Sequence, residues 1–332
     1  MRHPAGTNDR VRWRIEEGMK ALWLEAQRVR VSDGIPDPPI GEAVIRGSLA
    51  GVCNTDLEMV RGYYPFTGVP GHEFVGVVER ADDAPEWVGR RVAGEINAVC
   101  GTCATCRAGR RTHCEKRTVL GLIGRNGTFA EKLSLPVANL HAIPDHVSDE
   151  AAVFTEPLAA ALHALDHVRP KDRVLVVGDG KLGHLVALAV RTADCDLRVA
   201  TRVPRDRPIL AAKGIATIAS DDVKEASADV VVECTGQAGG LAVARRAVRP
   251  AGTIVMKSTY RGEAAFDFTR MVVDEVTIVG SRCGPFAPAI RALADGSIDP
   301  TPLIAARYRL ADGLAALEKA AEPGVLKVLI EP

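Results

Sequence analysis

The sequence has no apolar run near the roughly 20 residues that a transmembrane helix needs, so no membrane span is expected. Residues 1–18 are polar and mixed in charge, and they lack the apolar centre of a secretory signal peptide. They read as a flexible N-terminal extension, with the first strand expected near Met19-Lys20-Ala21-Leu22-Trp23. Charge of one sign is not in excess either. Lys plus Arg and Asp plus Glu number 42 each, which removes the electrostatic argument for nucleic acid or an anionic membrane as partner. There is no internal repeat and no low-complexity tract. A secreted disulfide scaffold would be shorter and denser in cysteine. Here four of the 8 Cys fall within fifteen residues, which suits metal ligation in a reducing compartment, so a cytoplasmic location is expected.

What is present divides in two. A chain of 332 residues suits two domains. From about residue 19 to 150 the sequence is rich in Gly, Pro and short β-type runs such as Val75-Gly76-Val77-Val78-Glu79 and Arg91-Val92-Ala93-Gly94, a pattern of an irregular, barrel-like β domain. Beyond it, residues 149–168 are Ala- and Leu-rich and read as a helix. Strands then alternate with helices: strands at 173–177, 197–200, 229–234, 252–256 and 277–280, and a helix at 182–192. The run Arg173-Val174-Leu175-Val176-Val177 is of the buried parallel type, and the alternation predicts an α/β, doubly wound parallel sheet. A helix at 287–294 and a closing strand at 326–330 complete the reading.

Two motifs carry chemistry. Cys100, Cys103, Cys106 and Cys114 form C-x2-C-x2-C-x7-C, with Gly101, Ala104 and Gly109 leaving room for tight turns. Four thiolates this close can wrap one tetrahedral zinc with no open position, and an iron–sulfur cluster is the alternative. Gly178-Asp179-Gly180-Lys181-Leu182-Gly183 contains G-x-G-x-x-G between an apolar strand and a helix, the context of a dinucleotide-binding turn. Gly178 permits the turn, Gly180 admits a pyrophosphate, and Gly183 allows close helix–strand packing, with Lys181 and Leu182 opening the helix. At the end of the second strand, where an acidic residue would select NAD, stand Thr201 and Arg202, with Arg207 following. Arg suits the 2′-phosphate of NADP, so NADP is favoured over NAD, with a solvated basic turn as the alternative. Thr235 and Gly236, after the strand at 229–234, join the cofactor-binding set.

Taken with Gly51-Val52-Cys53-Asn54-Thr55-Asp56, Gly71-His72-Glu73-Phe74-Val75-Gly76 and Thr155-Glu156-Pro157-Leu158-Ala159, these motifs resemble the zinc-containing medium-chain dehydrogenase/reductase family over nearly the whole chain after Met19. The Glu-Pro at 156–157 resembles its polyol, threonine and sugar dehydrogenase branches. The resemblance implies a GroES-like catalytic domain at 19–153 with the four-Cys lobe at 97–117, a Rossmann domain at 154–285, and a return to the catalytic domain at 286–332. It implies a catalytic zinc held by Cys53, His72 and Glu156 beside the structural one, two per chain. Glu73 is expected as an alternating ligand, Thr55 as a hydroxyl that passes the alcohol proton, and Asp56 as the carboxylate that orients His72. Asn54, Thr55 or Asp56 could equally cap the helix that follows. His113, His141, His146, His163, His167 and His184 match no ligand position and are left structural. Asn54, Leu57, Tyr63, Tyr64, Phe66 and Leu120 are expected pocket-wall residues. The expected activity is hydride transfer between a secondary alcohol (a polyol, sugar-like, cyclitol or amino alcohol) and NAD(P). Rival readings are an NADPH-dependent carbonyl reductase and a non-catalytic cofactor-binding sensor. The partners implied are a small-molecule alcohol or ketone and further copies of the chain, as a homodimer or homotetramer.

Overall fold

The structure, a computed structural model, describes residues 18–63, 65–202, 208–259, 263 and 267–332. Tyr64 and Arg207 lie outside the described residues. Strand Met19–Glu25 begins where the apolar alternation does and pairs antiparallel with Arg28–Ile35. Strand β1 (Ala43–Gly51) leads through Val52 and Cys53 into helix α1 (Asn54–Val60), and β2 (Glu73–Arg80) returns antiparallel beside β1.

The expected helix at 149–168 is instead three pieces: Asp149–Ala152, α2 (Thr155–Leu162) and a 3-10 turn, His163–His167. Pro157 explains the first break. It has no N–H to give to Val153, and its ring would strike that carbonyl, so the helix restarts with Pro157 inside a new first turn. Strands β3 (Arg173–Val177), β4 (Asp196–Thr201), β5 (Ala216–Ala219), β6 (Ala228–Glu233), β7 (Val248–Met256) and β8 (Thr277–Gly280) follow, with helix α3 (Lys181–Val190) between β3 and β4. They form one parallel sheet in the order β5-β4-β3-β6-β7-β8, the doubly wound arrangement. Strand β5 escaped the sequence reading because it lies at the sheet edge, where it needs no continuous apolar run.

After helix α4 (Phe286–Ala294) the chain re-enters the first sheet. Strand β9 (Ile304–Arg309), helix α5 (Gly313–Ala321) and β10 (Lys327–Glu331) place β9 parallel to β10, and β10 antiparallel to β1. That seven-stranded sheet runs β9-β10-β1-β2 and on through Arg91–Gly94 and Leu140–Ala142, with Lys132–Leu135 also paired to β1. One hydrophobic core spans both sheets. Leu49, Val75 and Leu329 of the first meet Val174, Val176 and Val232 of the second through Phe154, Leu158 and Ala159 of α2 and the turn before it. Among the described residues no helix is long and apolar enough to cross a membrane.

Candidate active site

Cys53 sits where β1 ends, and it is the residue that caps α1, rather than Asn54, Thr55 or Asp56. Asp56, wholly buried in the first turn, accepts the Cys53 backbone N–H at 2.9 Å through Oδ2. Its Oδ1 lies 3.2 Å from His72 Nδ1, close enough for an ion pair although the two are not aligned as a hydrogen bond. One carboxylate therefore holds both the thiol-bearing backbone and the imidazole. Burial pulls the His72 pKa down, but Asp56 and Cys53 outweigh it and hold the imidazole well above its ordinary value. Thr55 Oγ1 lies 3.7 Å from Cys53 Sγ.

His72 is delivered by Gly71, whose φ of +96° and packing against Thr128 Oγ1, 2.4 Å from where a Cβ would stand, admit only glycine. Glu73 then opens β2 directly across from Gly51, where a Cβ would lie 2.2 Å from Glu73 Oε2. One donor atom each from Cys53, His72 and Glu73 lies within 4.8 Å of the others. Glu73 is also paired with the ammonium of Lys327, the first residue of β10, and both are almost fully buried. The Lys327 Nζ stands 5.4 Å from the Phe154 ring centroid. Glu156, in the first turn of α2, is outside that trio and has no ion-pair partner among the described residues. Burial raises its pKa to about 7, with His72 opposing and Glu73 reinforcing the shift, so it faces the same cluster.

The four cysteines of the lobe also converge, with their sulfurs within 4.8 Å of one another. Cys114 Sγ lies 3.5 Å from Cys100 Sγ and 3.9 Å from Cys103 Sγ. A tetrahedron with zinc–sulfur bonds of about 2.3 Å has edges of about 3.8 Å, so these separations fit one ion, whereas a multi-iron core would hold the thiols farther apart. Gly101 and Gly109 adopt φ of +71° and +78°, which is why the turns need glycine.

At the sheet's switch point, Val177 of β3 pairs with Glu233 of β6, so the turn after β3 and the turn after β6 lie side by side. Gly178 has φ of +106°, a Cβ on Gly183 would meet the Gly178 carbonyl at 2.0 Å, and a Cβ on Gly180 would meet nothing within 4 Å. Two glycines thus serve the turn and its packing, and the third leaves open space for a ligand. Thr201 is buried at the end of β4, and exposed Arg202 donates to Gln237 Oε1 at 3.4 Å. Leu182 is half-buried in the first turn of α3. Thr235 gives its N–H (2.7 Å) and hydroxyl (2.5 Å) to Glu233 Oε1, and Gly236 N–H donates to Ser258 Oγ at 2.9 Å. Ser258 in turn donates to Glu233 Oε2.

Three polar residues were missed from sequence: Glu233, Lys257 and Lys327. Lys257 donates to the Ala160 carbonyl (2.6 Å), Ser281 Oγ (3.1 Å) and the Arg282 carbonyl (2.9 Å), tying α2 to the end of the parallel sheet. The available signal was a single charge ending or interrupting an apolar strand, as in Val230-Val231-Val232-Glu233 and Leu326-Lys327-Val328. Of the expected wall residues, Leu57 and Leu120 are core members, Asn54 is exposed, and Tyr63 and Phe66 are half-buried.

Comparison with known proteins agrees with this geometry. Residues 39–145 match the model of the alcohol dehydrogenase GroES-like domain. The chain is 32% identical to an L-threonine 3-dehydrogenase of Streptomyces coelicolor, over 95% of this chain and 97% of that one. It is 31% identical to an L-galactonate-5-dehydrogenase of Escherichia coli, over 83% of this chain and 87% of that one. Among solved structures, a zinc-binding dehydrogenase from Sinorhizobium meliloti bound to NADP superposes with a TM-score of 0.86 at 27% identity, covering 95% of this chain and 99% of that one.

Proposed function

Since the chain belongs to the zinc-type medium-chain alcohol and polyol dehydrogenase family, we propose that it oxidises a hydroxylated secondary alcohol to the ketone with an NAD(P) cofactor. In this reading residues 19–153 and 286–332 form the catalytic part, 154–285 the cofactor part, and the enzyme works in the cytoplasm. The observation that carries the reading is the convergence of Cys53, His72 and Glu73 in a chain whose Gly-rich turn leaves open space at Gly180. When bound, zinc supplies Lewis acidity toward an alcohol oxygen and nicotinamide supplies the hydride acceptor.

The residues do the rest. Cys53, His72 and Glu156 are the proposed zinc donors, a thiolate, an imidazole and a carboxylate that leave a position open. Lys327 already neutralises Glu73, whereas Glu156 has no ion-pair partner among the described residues, which favours Glu156 as the third donor and leaves Glu73 the alternate. Asp56 fixes the His72 ring, and the Thr55 hydroxyl, which both donates and accepts, passes the alcohol proton outward. Gly178, Gly180 and Gly183 bring backbone N–H groups to the pyrophosphate, and Glu233 holds the Thr235–Gly236 turn against them. The lobe at Cys100, Cys103, Cys106 and Cys114 takes a second, structural zinc.

Arg202, standing where an acid would select NAD, supports NADP, and relatives named for L-threonine and L-galactonate support a hydroxylated substrate. Val272 and Val273, three-quarters exposed, and Ile278 on the open edge strand β8 support a homo-oligomer that joins parallel sheets. Light scattering of Ile278→Lys against the parent tests that assembly, with a smaller particle expected. Fluorescence titration of the zinc-replete protein with NADPH and with NADH tests the function. Preferential NADPH binding is expected, preferential NADH binding would reduce Arg202 to a surface residue, and binding of neither would overturn the dehydrogenase reading.

A further inference from the structure

Lys181 stands in an unfavourable place for a lysine. It is the first residue of α3, directly after the N-cap Gly180, where the helix dipole presents its positive end. Its ammonium crosses from the parallel-sheet half and donates to the Ala320 carbonyl at 2.9 Å, 139 residues away. Ala320 is in the last turn of α5, which packs on β9 and β10, and its carbonyl is one of the last four that an α-helix leaves without an internal donor. Burial lowers the Lys181 pKa, with Lys327 adding to the effect and Cys53 and Glu73 opposing it, and the bond to Ala320 places the ammonium between the two sheets' halves of the molecule. A cation against a helix N-terminus and half out of water is stabilised by an anion. A phosphate offers the ammonium an opposite charge as well as an acceptor, so it binds more strongly than a neutral carbonyl does.

We propose that Lys181 has two rival acceptors, the Ala320 carbonyl and the diphosphate of a bound dinucleotide, so that cofactor binding unties the last turn of α5 from the Gly-rich turn. The inference rests on the dinucleotide reading of that turn, and it adds a coupling between cofactor binding and the return segment beneath the metal trio. Lys181 is then both a phosphate contact and a positioning residue for α5.

Hydrogen-exchange mass spectrometry of the zinc-replete enzyme with and without NADPH tests it, alongside Lys181→Met and Lys181→Arg. In the parent, saturating NADPH is expected to slow exchange at 178–186 and to speed it at 318–325. In Lys181→Met, 318–325 should already exchange fast without NADPH and change no further, and the NADPH Kd should rise about tenfold. Lys181→Arg should restore the NADPH response. If NADPH binds the parent but leaves 318–325 unchanged, or if Lys181→Met matches the parent at 318–325, the exchange of acceptors is wrong while the dinucleotide reading survives. If neither NADPH nor NADH binds the parent, both fall together.

Discussion

The lobe and the cleft around Cys53 and His72 both gather metal-ligating groups, but they assemble them differently. The lobe takes four sulfurs from fifteen consecutive residues, whose turns are fixed by Gly101 and Gly109. The cleft takes its groups from four distant segments: the end of β1, the start of β2, the first turn of α2 and the start of β10. A local cluster of identical donors can close around an ion and leave nothing for a substrate. A cluster built from the fold has mixed donors, a buried carboxylate and a neutralising lysine. The lobe accordingly reads as a stability device and the cleft as the seat of chemistry.

The sharpest way to break that division is to remove one donor from each. Cys53→Ser should lower turnover at least about a thousandfold while far-UV circular dichroism and the melting temperature stay near the parent's. Cys103→Ser should do the reverse, lowering the melting temperature and leaving turnover per folded molecule within a few-fold below the transition. A Cys103→Ser enzyme that keeps its fold and loses its turnover would dissolve the distinction.

The same contrast explains what was legible in the sequence. The lobe was readable because all its donors share one spacing, and the Gly-rich turn because its three glycines are local and follow an apolar strand. Cys53 and His72 were readable only within a family pattern. The Glu73–Lys327 pair spans 254 residues and depends on β10 folding back beside β1, which no local spacing encodes. The broken helix at 153–154 was legible in principle, since Pro157 demands it, but the Ala- and Leu-rich run on either side masked it. Strand β9 was missed for another reason: its alternation, half-buried then exposed, is too weakly apolar to stand out.

Which carboxylate completes the cleft is the next most decisive test. Metal analysis and turnover of Glu156→Gln and Glu73→Gln should separate them. Glu156→Gln is expected to lose one of two zinc ions and about a hundredfold or more in turnover, and Glu73→Gln to keep both ions with a smaller loss. The opposite ranking would make the compact trio of Cys53, His72 and Glu73 the ligand set itself.

Lys327 sharpens the comparison from the stability side, because the lobe has no counterpart to a buried ion pair. Lys327→Met leaves the buried Glu73 carboxylate without its cation, and removing one partner of a buried pair costs about 3–5 kcal/mol. Urea unfolding should register that loss, and the double variant Lys327→Met with Glu73→Gln should recover much of it, since neither half of the pair is then charged. If the double variant is no better than the single one, the lysine acts through packing on Phe154 rather than through charge.

The smallest effect concerns the lobe alone and tests whether its turns are built for thiolates. The backbone N–H groups of Thr102 and Cys103 hold the Cys100 thiol down to about 6, and those of Cys106 and Glu115 lower that of Cys103. Burial pushes Cys106 the other way, to about 12, with Cys103 and Cys114 adding to it. At pH 7 a metal-stripped chain therefore carries Cys100 mostly as thiolate and Cys106 almost wholly as thiol, and thiolate is the form that alkylates. Limiting iodoacetamide followed by peptide mapping should label Cys100 more than about tenfold faster than Cys106. Lowering the pH to 5 carries Cys100 below its pKa, so its lead should shrink, while zinc should protect all four. Equal labelling at pH 7 would mean that the turns position the sulfurs without preparing their charge, and that only the ion itself draws off the protons.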